Sequence, residues 1–61
     1  MVEVDIVYKP IEELVVVMHK GRILKKFSTF SANKPAYKAK GDAFYKAGAW
    51  AIDNGYEISE D

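Results

Sequence analysis

Apolar and polar residues alternate at the start of the chain. Val2, Val4, Ile6 and Tyr8 point one way, and Glu3 and Asp5 point the other. That period of two predicts a half-buried strand from Val2 to Tyr8. Lys9-Pro10 ends it, because proline cannot donate to a ladder. Ile11-Glu12-Glu13 completes a connection short enough to favour an antiparallel neighbour. Leu14 to Met18, LVVVM, is apolar on both sides. Three consecutive valines favour strand over helix, so this is read as an inner strand buried on both faces. His19-Lys20-Gly21-Arg22 reads as a hairpin turn, with Gly21 free to take a positive φ. The third strand is predicted over Arg22 to Phe30. A two-residue loop sets Met18 opposite Ile23, Val16 opposite Lys25 and Leu14 opposite Phe27. The other face then carries Val15, Val17, Leu24 and Lys26. Neither face is wholly polar. One helix covers only one face, so the second is expected to meet another chain.

After the link Ser31-Ala32-Asn33 the pattern changes to that of a helix, predicted over Lys34 to Asn54. Asn33 is the expected N-cap and Pro35 falls in the first turn, where a missing N–H costs nothing. Alanine, the best helix former, stands at 36, 39, 43, 47, 49 and 51. Gly55 supplies the stop. At 100° per residue Tyr37, Gly41, Phe44, Gly48, Ala51 and Ile52 share one face, opposite Lys38, Asp42, Lys46 and Asp53. Gly41-Asp42 also reads as a second start, with a shorter helix from Ala43. An uninterrupted helix of this length is about 31 Å long against about 23 Å for a seven-residue strand, so something should cover the overhang. Tyr56-Glu57-Ile58 reads as a short fourth strand and Ser59-Glu60-Asp61 as a solvated tail. The predicted fold is a single α+β domain over residues 1–61. It has a three- to four-stranded antiparallel sheet, order β-β-β-α with a short fourth strand, and one long helix across one face.

Sixty-one residues support only a small core. No cysteine provides a disulfide or thiolate zinc site, and one histidine does not make a metal site. No metal or cofactor is expected, and oligomerisation is the remaining common support for so small a core. No apolar run approaches the length of a membrane span. MVEVDIVY has no basic segment of a secretory signal, so a cytoplasmic location is expected.

Charge is the least generic feature. The formal net charge is zero, yet residues 20–46 hold eight Lys/Arg against Asp42 alone, a net +7. Residues 1–19 carry −3 and residues 47–61 carry −4. Lys20, Arg22, Lys25, Lys34, Lys38 and Lys46 are the candidate nucleic-acid contacts, a hairpin tip and a helix edge straddling a phosphate backbone. Lys20, Arg22, Lys34 and Lys38 are expected to be exposed and free of carboxylate partners. A solubilising surface is the plainer alternative. Trp50, Tyr45, Ala43 and Ala47 are the candidate protein-interface residues: an aromatic anchor beside small residues that allow close approach. Close packing of the helix on its own sheet is again the plainer reading. The basic helix after a hairpin resembles double-stranded-RNA-binding domains at Lys34, Lys38, Ala43 and Ala47. That family's first helix and glycine-rich lead-in are missing, so its function is not carried over.

The chain contains no phosphate-loop, dinucleotide-binding or nucleophile-elbow motif. His19 has cationic neighbours, and Glu12-Glu13 reads as solvated surface. The expectation is a non-enzymatic, homodimeric binding protein, a regulator or inhibitor of an unidentified protein partner. A phage-type accessory role is suggested by chain size alone. The alternative is sequence-tolerant nucleic-acid binding through residues 20–46.

Overall fold

The computed structural model describes residues 2–59; Glu60 and Asp61 of the predicted tail lie outside that range. The chain is an α+β domain with element order β1 (Glu3–Lys9), β2 (Leu14–His19), β3 (Arg22–Ser28), α1 (Ala36–Asp53) and β4 (Glu57–Ile58). The sheet order is β3-β2-β1-β4. β1, β2 and β3 are antiparallel neighbours, and β4 pairs parallel to β1. The parallel pair follows from the route of the chain: α1 carries it back across the sheet before β4 begins, which is how parallel neighbours are joined. The sheet is therefore mixed rather than wholly antiparallel.

β2 is the inner strand, and Val15, Val16 and Val17 are all fully buried, as two apolar faces require. The β2–β3 loop has two residues, with Lys20 at φ 50° and Gly21 at φ 79°, the type I′ combination that matches strand twist. His19 ends β2 opposite Arg22 and is the first residue of that four-residue turn, as predicted.

The register departs from the simple hairpin at one place. Met18 faces Ile23 as predicted, but Val17 faces Lys25, Val16 faces Lys26, Val15 faces Phe27 and Leu14 faces Ser28. Leu24 is the extra residue of a bulge. The physical reason lies in the sequence: Leu24 and Phe27 are three apart, so strict alternation would send them to opposite faces. The bulge lets both pack on the core beneath the helix. It also moves Lys26 onto the opposite face beside Val16.

The helix is shorter than predicted at its start. Pro35, not Asn33, is the cap residue, with φ −58° and ψ 151° and no side-chain cap bond. Its carbonyl accepts from the Lys38 and Ala39 amides at 3.0 and 3.1 Å. The chain ahead of a proline is pushed out of helical geometry, so the helix cannot begin at Lys34. It runs unbroken through Gly41 for 18 residues. That is about 27 Å, so the overhang is smaller than expected. At its end Tyr56 N–H bonds to Ala51 O at 2.9 Å and Gly55 N–H to Ile52 O at 3.1 Å, with Gly55 at φ 80°. This is a Schellman stop. The Trp50 and Tyr56 rings stack across it at 5.8 Å.

The buried stripe is Ala39, Ala43, Ala47 and Ala51. With Val4, Val15 and Val17, the last three of these form the core. Phe44, Trp50, Tyr56 and Ile58 close its margins. Alanine every fourth residue brings the helix axis close to the strands, and the larger side chains flank that line rather than fill it. The predicted face is thus rotated. Ala51 is inside and Phe44 is marginal, but Tyr37 and Ile52 are outside. No helix among the described residues is long and apolar enough to cross a membrane.

Candidate functional site

The sheet order turns the blocks of charge into two sides of one molecule. β3 is an edge strand and carries Arg22, Lys25 and Lys26, with Lys20 in its hairpin. The opposite edge has Glu3 and Asp5 on β1 and Glu57 on β4. The one salt bridge among the described residues joins Lys34, just ahead of α1, to Asp42 on it. It corrects the expectation that Lys34 is unpaired. Both partners are about half exposed. The Asp42 carboxyl is held below its ordinary value, first by the hydrogen bond from Lys34, then by the charge of Lys34, with Lys46 and Lys38 adding.

The expected cluster of hairpin tip and helix edge does not form. The chain runs the length of β3 between Arg22 and Ser28 before it reaches the helix, a distance of about 23 Å. Lys20 and Arg22 are therefore at one end of the sheet and Lys34 and Lys38 at the other. Lys46 joins the second group, sharing a shallow depression with Ser28, Ser31, Lys34 and Asp42. Lys25 and Lys26 point to opposite faces of β3 between the two ends. The arrangement is a strip along one edge. Lysines on an exposed edge strand also discourage pairing with other sheets, which is sufficient reason for Lys25 and Lys26 to be there. Lys40 lies over the Tyr8 ring, 4.0 Å from its centroid.

The four interface candidates separate into three environments. Ala43 and Ala47 belong to the core and present nothing to a partner. Their small size serves close approach, but of the helix to its own sheet. Trp50 is half-buried, packed on the core margin and stacked on Tyr56. Only Tyr45 is on the surface, 79% exposed.

Tyr45 has company from two residues of the predicted apolar face. Tyr37 is 72% exposed and Ile52 is 66% exposed. With Gly41 they fall within about 80° of arc at 100° per residue, on the side of α1 away from the sheet; Gly48 shares the arc but is half-buried, and a Cβ there would meet Ile58 Cδ1 at 3.6 Å. The signal was present in the sequence as an apolar helical face; what it lacked was direction. A helix with two such stripes, one of alanine and one of aromatic, glycine and isoleucine, has a choice of which to bury. Beside this stripe Phe44, Tyr45, Gly48, Ala49 and Ile52 line an apolar depression.

The second sheet face is less open than predicted. Val7, Val16 and Lys26 stand in register across it, as do Lys9, Leu14 and Ser28. Val16 is on this face and outside the core beneath the helix, yet it is fully buried by its neighbours. Val7, Leu14 and Met18 are half-buried, and Ile23 is 38% exposed. The helix stripe, not the sheet, is the larger uncovered apolar surface.

His19 and the Glu12-Glu13 pair are at opposite ends of the sheet. The His19 ring donates from Nδ1 to the Glu3 carbonyl at 3.0 Å, at the hairpin end of the sheet. Glu12, Glu13, Ser28 and Thr29 are at the other end, where the Thr29 amide donates to the Glu13 carbonyl at 2.8 Å. No cluster of potential metal ligands occurs among the described residues. No family model, curated protein or solved structure matches this chain.

Proposed function

We propose that this chain is a non-enzymatic binding protein that works as a homodimer and regulates or inhibits a protein partner by contact. The observation that carries the reading is the uncovered stripe Tyr37, Tyr45 and Ile52 on the outer face of α1. Two tyrosines and an isoleucine held rigidly on a helix are favourable contact groups, since little side-chain freedom is lost when they are covered. The small core adds a motive for association. Sedimentation equilibrium tests the homodimer. A mass rising from 6.9 kDa toward twice that value supports it. A folded monomer from about 5 to about 500 µM would overturn it.

A second reading rests on the cation strip along β3, with Lys20, Arg22, Lys25 and Lys26 exposed. Such a strip fits sequence-tolerant phosphate contact, whose affinity falls steeply with salt. Titration with generic DNA and RNA separates the two readings. Binding at low salt that vanishes on salt addition supports this one, and no binding at low salt removes it.

A further inference from the structure

We propose that the outer face of α1 pairs antiparallel with the same face of a second copy, about a twofold axis level with Phe44 and Tyr45. The inference rests on the homodimer reading and assigns its surface. The first observation is the symmetry of the stripe. Tyr37 and Ile52 are equally far from the midpoint between Phe44 and Tyr45, and so are Gly41 and Gly48. An antiparallel twofold therefore sets Tyr37 of each copy level with Ile52 of the other, and Gly41 level with Gly48. Large groups meet at the ends, the two Tyr45 rings flank the axis, and the open backbone at Gly41 comes level with Gly48, which has Ile58 beside it. A methyl added at Gly41 would find nothing within 4 Å in the chain, so the backbone there is bare. Bare backbone lets two helices approach closely.

The second observation is charge. Lys38 and Asp53 are exposed on the same flank of the stripe, at opposite ends, and neither has an ion-pair partner within the described residues. Antiparallel pairing about a twofold brings like flanks together, and Lys38 then stands about 3 Å along the axis from the level of the other copy's Asp53. That offset is within the reach of a lysine stem. Symmetry gives the pair twice. A parallel pair about a twofold would instead bring unlike flanks together, so Lys38 would face the Phe44 side of the other copy and make no such pair. Antiparallel helix dipoles favour the same arrangement.

The third observation is area. Tyr37, Tyr45 and Ile52 expose on the order of 400 Å² per chain. With the glycine backbone, Ala49 and the Lys38 stem, two copies bury about 1,000 Å², the lower end for a specific contact. The contact is therefore at the small end for a specific interface, and the sedimentation series supplies its Kd. The pairing covers the helices and leaves both second sheet faces turned outward, one at each side of the assembly.

The test is a charge-reversal cycle read by sedimentation equilibrium, with circular dichroism confirming that each variant is folded. Lys38→Asp and Asp53→Lys each replace two attractive pairs with two repulsive ones and weaken the dimer about tenfold. The double variant Lys38→Asp/Asp53→Lys restores it to within about threefold. Tyr45→Glu sets two carboxylates beside the axis and leaves a folded monomer up to about 500 µM. A dimer indifferent to all four variants would overturn the helix pairing while leaving the homodimer reading intact, with the second sheet face as the contact. A wild-type chain that is monomeric throughout would overturn both.

Discussion

Gly41→Ala should stabilise the folded chain by about 1 kcal/mol. Gly41 sits in the interior of α1, where glycine costs that much against alanine through the freedom it loses on folding. The added methyl would meet nothing within 4 Å, so no packing penalty offsets the gain. The control is the same substitution at Gly55. There φ is 80°, and a Cβ in that left-handed conformation costs about 1–2 kcal/mol. In a domain of this size 1 kcal/mol moves the melting temperature by about 4–8 °C. Gly41→Ala should therefore raise the midpoint by that amount and Gly55→Ala should lower it by as much or more. Thermal melts followed by helical circular dichroism at about 5 µM, once sedimentation has shown the chain to be monomeric there, read the monomer alone. At high concentration the same methyl intrudes on the glycine contact, so the variant should be the better-folded monomer and the poorer dimer. A neutral or lowered midpoint for Gly41→Ala, with Gly55→Ala behaving as stated, would refute the continuous helix. It would favour the alternative start at Asp42.

Two further outcomes test the packing and the helix charge. Ala47→Leu adds three carbons where the helix is closest to the sheet and no solvent reaches, and should cost about 1–3 kcal/mol in urea unfolding; a tolerated leucine would mean that the alanine stripe is not the buried face. Asp42→Asn tests the pair with Lys34: a carboxyl held below its ordinary value stabilises the fold above its unfolded value near 3.8, and that contribution is lost as pH falls through the lower folded value. Wild type should therefore have the higher urea midpoint at pH 7, by a small and salt-screened margin, and no advantage at about pH 2; a difference that is the same at both pH values would rule out the ion pair as its source.

Local pattern was enough for the elements. Alternation from Val2 to Tyr8, the three valines of β2, Gly21 in a two-residue turn and Gly55 as a stop each act over a few residues, and each is where the sequence placed it. The inner position of β2 was legible because a strand with no polar side must be covered twice. Tertiary structure decided what depends on a choice between surfaces. The bulge at Leu24 arises because Leu24 and Phe27 must both reach a core that only the packed helix defines. That slip also transferred Lys26 to the second face, where it helps to cover Val16. The helix offered two stripes of similar apolar character. Periodicity reports that a face is apolar, not which way it turns, and the larger side chains were the natural candidates for the interior. A short helix over a small sheet instead buries the stripe that permits the closest approach, Ala39, Ala43, Ala47 and Ala51. Tyr37, Tyr45 and Ile52 were left outside by that competition, so the most informative surface of the molecule could not be located before the helix was set on its sheet.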